Sequence, residues 1–165
     1  MYYAINTKRN QIMGALLITL IYNLIVWVKY KVVPVSISET SYIFGGNKRY
    51  FFTLYCIIMT FILTPQLLSI LPEKYGFISF LMCAGFAFAG VSPLFKSGMD
   101  KIVHYMSAAI SFVAFIIIMI LFMNWWYVVA FIVPYIGLLI WKRECYVYFA
   151  EMLAIIEIWY FIVFN

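Results

Sequence analysis

Formal charges divide the chain into long apolar intervals separated by short polar segments. A helix crosses the hydrocarbon core of a membrane with about 20 apolar residues, and the intervals have about this length. The interval 102–141 carries no formal charge and is long enough for two helices, because Asn124, Trp125 and Trp126 provide an interfacial break inside it. The pattern predicts an all-α polytopic membrane protein, a compact bundle of six transmembrane helices at about 12–28, 50–71, 77–95, 102–123, 125–141 and 145–164.

The loops leave no room for a separate soluble domain, so residues 1–165 are expected to form a single integral membrane domain. The longest loop is 29–49, and it is mostly polar. Pro34 disfavours the helical conformation of the residue before it, so the first span should end upstream of this proline. Pro65 and Pro134 lie inside predicted spans, where each removes a helical hydrogen bond.

Small residues are concentrated in the third and fourth predicted spans. The third contains Ala84, Gly85 and Gly90, and the fourth contains Ser107 and Ser111 near its start. Small side chains allow two membrane helices to approach closely. The two spans are therefore predicted to form a tight hairpin.

Composition excludes a water-soluble fold, because 67% of the residues are apolar and 10% are charged, against about 45–50% and about 25% in soluble domains. The net charge of +5 comes from basic residues at the ends of apolar runs, as in membrane proteins. Membrane lipids are therefore the expected partners, and nucleic acid is not. The three cysteines, Cys56, Cys83 and Cys145, form no C-x-x-C pair, so no redox motif is predicted.

Lysines and arginines are distributed unequally between the two sides of the predicted bundle. With six spans, the side of the first loop carries Lys29, Lys31, Lys48, Arg49, Lys96, Lys101, Lys142 and Arg143, and the other side carries Lys8, Arg9 and Lys74. Basic residues in short loops are enriched in the cytoplasm. The count places the first loop in the cytoplasm and both termini outside.

Asp100 and His104 are the first candidate site. They are four residues apart and share one helix face where the fourth span begins. A carboxylate one turn from an imidazole can orient it as a general base or a metal ligand. The alternative interpretation is an interfacial ion pair, with Asp100 stabilising the helix N-terminus.

The second candidate site is the run Ser36-Ile37-Ser38-Glu39-Thr40-Ser41 in the first loop. The predicted topology places it on the same side as Asp100 and His104. A serine, a histidine and an acid on one side could supply a nucleophile, a base and an orienting group. Serine and threonine near Pro34 are equally suited to a structured turn.

Glu151 and Glu157 are acids inside the last predicted span, where ionisable groups are functional candidates. They are six residues apart and point to different faces of the helix. Glu157, near the middle of the span, could relay protons, hold a cation, or be protonated against a neighbouring hydroxyl.

Known metal and cofactor motifs are missing from the sequence. The chain has one histidine, so a three-histidine zinc site cannot form, and a mixed site of Asp100, His104 and Glu39 has little support from spacing. Phosphate-binding glycine loops, H-E-x-x-H and G-x-S-x-G do not occur. No cofactor and no metal are expected.

Two stretches carry a resemblance to a known family: Pro34-Val35-Ser36-Ile37-Ser38-Glu39-Thr40 followed by Arg49-Tyr50-Phe51-Phe52, and Gly90-Val91-Ser92-Pro93 with His104-Tyr105-Met106-Ser107-Ala108. Across roughly residues 20–115 the chain resembles the Frag/DRAM-like membrane proteins, which include autophagy modulators and GPI-anchor lipid-remodelling factors. It is most similar to their small six-helix bacterial members.

The resemblance implies six helices, a bacterial inner (plasma) membrane, and a polar site of Ser38, Glu39 and His104. Glu39 stands where eukaryotic members usually have aspartate. Family members are usually drawn with the first loop outside the cytoplasm, in conflict with the charge count. The resemblance supplies no reaction, because the bacterial members have none assigned.

The leading functional hypothesis is the binding of a lipid or amphiphile at a polar site of Ser38, Glu39, Asp100 and His104. One alternative is a lipid-acting hydrolase or transferase with Ser36 or Ser38 as nucleophile and His104 as base. Another is a small transporter or pore that uses Glu157. A structural membrane subunit is the fourth, and a homo-oligomer is compatible with each of them.

Overall fold

The computed structural model describes residues 2–95, 99–141 and 144–164, and within these ranges it is helical without a strand. Three short 3-10 segments, Gly46–Arg49, Glu73–Tyr75 and Ser92–Leu94, lie between longer elements. The all-α class predicted from the sequence is confirmed. The α-helices are α1 (Tyr2–Tyr30), α2 (Thr40–Phe44), α3 (Tyr50–Ile70), α4 (Gly76–Val91), α5 (Met99–Phe122), α6 (Trp125–Trp141) and α7 (Tyr146–Phe164).

Five helical segments in the described part of the chain are long and apolar enough to cross a membrane. α6 is also apolar, but with 17 residues it is shorter than the others and falls below the usual length of about 20 residues. Of the six predicted spans, five therefore meet the requirement of length and composition. They are Asn10–Tyr30, Tyr50–Ile70, Glu73–Leu94, Met99–Phe122 and Tyr146–Phe164.

The first helix is longer than the predicted span 12–28, because it begins at Tyr2 and ends at Tyr30. Hydropathy marks only the part that suits the membrane, whereas a helix continues through polar residues as long as its backbone bonds form. Its end lies upstream of Pro34, as predicted. Lys31 has a φ of 52° and its N–H donates to the Trp27 carbonyl at 3.0 Å, which is a left-handed helix end.

α4 and α5 pack closely, as the small residues predict. A Cβ added to Gly85 would lie 2.7 Å from the Ser107 carbonyl oxygen of α5, so only glycine allows this approach. The Ser111 hydroxyl donates to the Met82 carbonyl at 2.8 Å across the same interface. On the other side of α4, a Cβ on Gly90 would overlap the side chain of Cys56 in α3.

Two hydrogen bonds identify the elements that share one end of the bundle. Arg49, at the start of α3, donates from Nη1 to the Pro93 carbonyl after α4, at 3.3 Å. The backbone N–H of Tyr148 in α7 donates to the Val35 carbonyl of the first loop at 2.9 Å. We call this end, with the loop 31–49 and the starts of α3 and α7, the loop end.

Candidate functional site

A cavity of about 380 Å³ lies between α3, α4, α5 and α7. Its volume is in the range of roughly 300–1,000 Å³ that is typical of small-molecule sites. The walls are mainly apolar and aromatic side chains, and Ile37 and Ser38 of the first loop complete them. Ala109 and Phe112 of α5 line the cavity and are themselves exposed, so the cavity opens at the side of the bundle next to α5.

Several polar side chains reach the cavity near the loop end: Ser38 from the loop, His104 from α5, and Tyr146 and Glu151 from α7. His104 and Glu151 each lie five residues after the first residue of their helix, which is about 8 Å along the axis. The structure thus brings two of the predicted site residues, Ser38 and His104, to one cavity. It adds Glu151, which the sequence offered only as an intramembrane acid.

Glu151 fastens the first loop to α7. Its Oε2 accepts a hydrogen bond from the backbone N–H of Ile37 at 2.6 Å, next to the bond between Tyr148 and Val35. Among the described residues, no hydrogen bond or ion pair occupies its Oε1. A carboxylate in an apolar wall requires such partners or a bound group. Glu151 therefore has one oxygen in a protein contact and one available to a ligand.

His104 is oriented by the last turn of α4. Its Nδ1 lies 3.0 Å from the Ser92 Oγ and 3.3 Å from the Ala89 carbonyl oxygen, while the Ser92 hydroxyl donates to the same carbonyl at 2.7 Å. A carbonyl only accepts, and the hydroxyl proton of Ser92 is already engaged. Both contacts are satisfied when Nδ1 carries the proton, which leaves Nε2 of the neutral ring as an acceptor.

Ser36 and Glu39 organise the loop itself. The Glu39 backbone N–H donates to the Ser36 hydroxyl at 3.2 Å, and the Glu39 carboxylate accepts the Val35 N–H. The Ser36 and Ser38 hydroxyls are 2.8 Å apart. These contacts match the structured turn that serine and a carboxylate near Pro34 favour. Ser38 reaches the cavity, whereas Ser36 and Glu39 do not line it.

Asp100 and Glu157 lie outside the cavity lining. Asp100 is in the first turn of α5, where a negative charge stabilises a helix N-terminus. Glu157 is buried in α7, and no hydrogen bond joins its carboxyl group to another residue of the described ranges. The structure therefore separates the two acids of α7, one at the cavity and one away from it.

The described residues contain no group of three histidine, cysteine or acidic side chains that could hold a metal ion. The mixed site of Asp100, His104 and Glu39 considered above does not assemble there. Glu39 is instead engaged with the loop backbone, and His104 with α4.

Trp159 is a cavity residue that the sequence analysis does not select as a site residue. It lines the cavity, is fully buried, and its indole N–H lacks a hydrogen-bond partner among the described residues. It is eight residues beyond Glu151 in α7, about 12 Å along the helix. The cavity therefore extends from a polar end at Glu151 to a deep aromatic wall at Trp159.

The chain was compared with protein-family models, with curated proteins and with solved structures, and nothing in the three sets matches it. Membership of the Frag/DRAM-like family stays a prediction from two short stretches of sequence.

Proposed function

We propose that this protein is an integral membrane protein that binds one amphiphile in the cavity between α3, α4, α5 and α7. The apolar chain lies along the aromatic and aliphatic wall, and the polar head lies against Ser38, His104 and Glu151. The observation that carries the proposal is the distribution of polar groups in a mainly apolar cavity: Ser38, His104 and Glu151 come from three elements and lie near one end.

Physical chemistry supports an amphiphile over a wholly polar or wholly apolar ligand. Burying a polar group in an apolar wall costs free energy unless it is hydrogen-bonded. Near Trp159 the indole N–H is the one buried donor without a partner among the described residues of the lining, so a wholly polar molecule would leave most of its polar groups unpaired there. An alkane would leave the free oxygen of Glu151 and the acceptor of His104 without partners. The opening beside Ala109 and Phe112 suits a molecule that arrives from the bilayer.

The proposal includes six membrane crossings. α5 starts at the loop end, where His104 contacts Ser92, and α7 starts at the same end, where Tyr148 contacts Val35. α6 connects the far end of α5 with the start of α7, so it has to return across the bundle. Its 17 residues span about 26 Å, against a hydrocarbon core of about 30 Å, a mismatch that local thinning accommodates at modest cost.

We also propose the orientation that the basic residues indicate, with the loop end in the cytoplasm and both termini outside. We propose as well that the protein is a Frag/DRAM-like protein of the bacterial inner membrane. The support for this is the sequence resemblance together with the joint placement of Ser38 and His104 on one cavity.

A lipid hydrolase is the second candidate function, because Ser38 and His104 line the same cavity. The Ser38 hydroxyl is paired with Ser36 and the Nδ1 of His104 with Ser92, so the nucleophile–base hydrogen bond would have to form on substrate binding. Labelling of Ser38 by a lipid-like phosphonate, lost in His104→Ala, would support this function. Unchanged labelling in His104→Ala would remove His104 as the base.

Native mass spectrometry of gently purified protein tests the binding proposal. The wild type is expected to retain a discrete amphiphile, and His104→Ala is expected to lose it without loss of folding. Ala154→Trp, which places an indole in the cavity lining, should lose it as well.

Glu157→Gln is the matched control, since it removes an acid from the same helix outside the cavity. It should retain the amphiphile as the wild type does. Equal retention in the wild type, His104→Ala and Ala154→Trp would show that the bound molecule lies elsewhere on the protein. A bare wild type that also fails to take up added amphiphile would contradict the proposal.

A further inference from the structure

We propose that the amphiphile bound by this cavity carries a positively charged ammonium head, which is held by Glu151. This inference rests on the proposed function and adds the charge of the ligand to it. It follows from the charge of the cavity, from the hydrogen-bonding character of its polar end, and from its aromatic walls.

With His104 neutral, the charge that the cavity carries is the negative charge of Glu151. Glu151 is the only acid among the lining residues of the described chain, and no lysine or arginine lines the cavity with it. An anionic head, such as a phosphate or a fatty carboxylate, would face a like charge in a medium that screens poorly. A cation would neutralise the Glu151 carboxylate, which has a backbone hydrogen bond but no ion-pair partner among the described residues.

The polar end offers acceptors more than donors. Oε1 of Glu151 is free of protein partners within the described residues, and His104 presents Nε2 as an acceptor when its Nδ1 proton is directed to α4. The Ser38 hydroxyl can accept as well as donate. A primary ammonium has three N–H donors and no acceptor, so it complements this set better than a carboxylate, an ester or a phosphate.

Aromatic rings at the cavity strengthen the case for a cation. Phe112, Tyr135 and Tyr146 line it, and the rings of Tyr135 and Tyr146 are 6.5 Å apart between centroids. The faces of aromatic rings attract cations, most strongly where water is excluded. These rings share the cavity with Glu151, and this combination favours an organic ammonium group over an anion.

Three probes with one decyl chain test the inference: decylamine, decanol and decanoate. Binding to the protein in nanodiscs of neutral phosphatidylcholine is measured by isothermal titration calorimetry, with empty nanodiscs subtracted. The wild type should bind decylamine most tightly, decanol more weakly and decanoate least. Glu151→Gln should lower decylamine affinity about tenfold or more, as expected when a hydrogen bond to a charged group is lost, and should leave decanol affinity almost unchanged.

Two further variants separate failure of the inference from failure of the proposed function. Ala154→Trp should abolish binding of all three probes, and Glu157→Gln should change none. One result would overturn the ammonium inference and keep the amphiphile site. In that result the wild type binds decanol and Ala154→Trp abolishes the binding, but decylamine is not preferred or Glu151→Gln has no effect. No binding of any probe to the wild type would overturn both.

Discussion

Ile37 in the first loop and Glu151 in α7 are joined by a hydrogen bond from the backbone N–H of Ile37 to Oε2 of Glu151, at 2.6 Å. The two residues are 114 positions apart in the chain. Together with the bond from Tyr148 to the Val35 carbonyl, it holds the loop across the start of α7. The loop becomes a wall of the cavity, so one side chain, Glu151, both holds this wall in place and lines the cavity.

Loss of the Glu151 carboxyl group is expected to destabilise the fold. Glu151→Ala leaves the N–H of Ile37 without its acceptor in a buried position, which costs about 1–3 kcal/mol. Glu151→Gln keeps a carbonyl oxygen at this place and should cost less. Thermal unfolding in a neutral detergent compares the two variants, and equal destabilisation by both would contradict the role assigned to the Ile37 hydrogen bond.

Close packing of α4 against α3 predicts that Gly90→Ala is destabilising. The new methyl group would overlap Cys56, and overpacking of this kind typically costs about 1–3 kcal/mol. Gly14→Ala in α1 is the control, because an added Cβ there meets nothing within 4 Å. The control should be neutral or should stabilise α1 by about 0.5–1 kcal/mol. Unfolding midpoints that fall equally for both variants would argue against the packing described.

The tautomer of His104 can be read directly, because the chain has one histidine. We expect the proton on Nδ1, since Nδ1 faces the Ala89 carbonyl at 3.3 Å and the Ser92 hydroxyl at 3.0 Å. Nitrogen chemical shifts of protein labelled with ¹⁵N-histidine distinguish the two neutral forms. A neutral ring protonated on Nε2 would mean that Ser92 donates to His104, and would remove the acceptor that the ammonium inference uses.

Six crossings predict that the two ends of α6 lie on opposite sides of the membrane. In a background without Cys56, Cys83 and Cys145, single cysteines at Asn124 and Glu144 report the two ends. Asn124→Cys should react with an impermeant maleimide added to intact cells, whereas Glu144→Cys should react only after permeabilisation. Reaction of both from the same side would show that α6 does not cross. Reversed sides would keep six crossings and invert the orientation.

Helix positions could be predicted from the sequence because charges and apolar runs report them locally. The predicted spans 50–71 and 102–123 correspond to Tyr50–Ile70 and Met99–Phe122 in the structure. Hydropathy did not mark the helical start of α1, since polar residues continue a helix without an apolar signal. The bounds of α6, Trp125–Trp141, coincide with the predicted segment 125–141, because the break at Asn124 is visible in the sequence.

The site could be predicted only in part. Ser38 and His104 were selected because serine and histidine carry chemistry, and the structure places both on one cavity. Glu39 instead accepts a hydrogen bond from the loop backbone, and Asp100 lies in the first turn of α5. The sequence pattern fits these local roles as well as it fits a role in a site. The contact of Glu151 with Ile37 joins segments that are distant in the chain. It depends on how α7 is rotated about its axis in the bundle, and local sequence periodicity does not report that rotation.

The central claim, an amphiphile inside the cavity, is tested most directly by photo-crosslinking with a decanol that carries a diazirine at the end of its chain. Met59 is buried and lines the cavity, whereas Phe61 on the same helix is 76% exposed on its outer surface. The account predicts labelling at Met59 and Trp159 that excess decanol abolishes, beside non-saturable labelling at Phe61. Labelling confined to Phe61 and other outward-facing residues, unaffected by decanol, would contradict it.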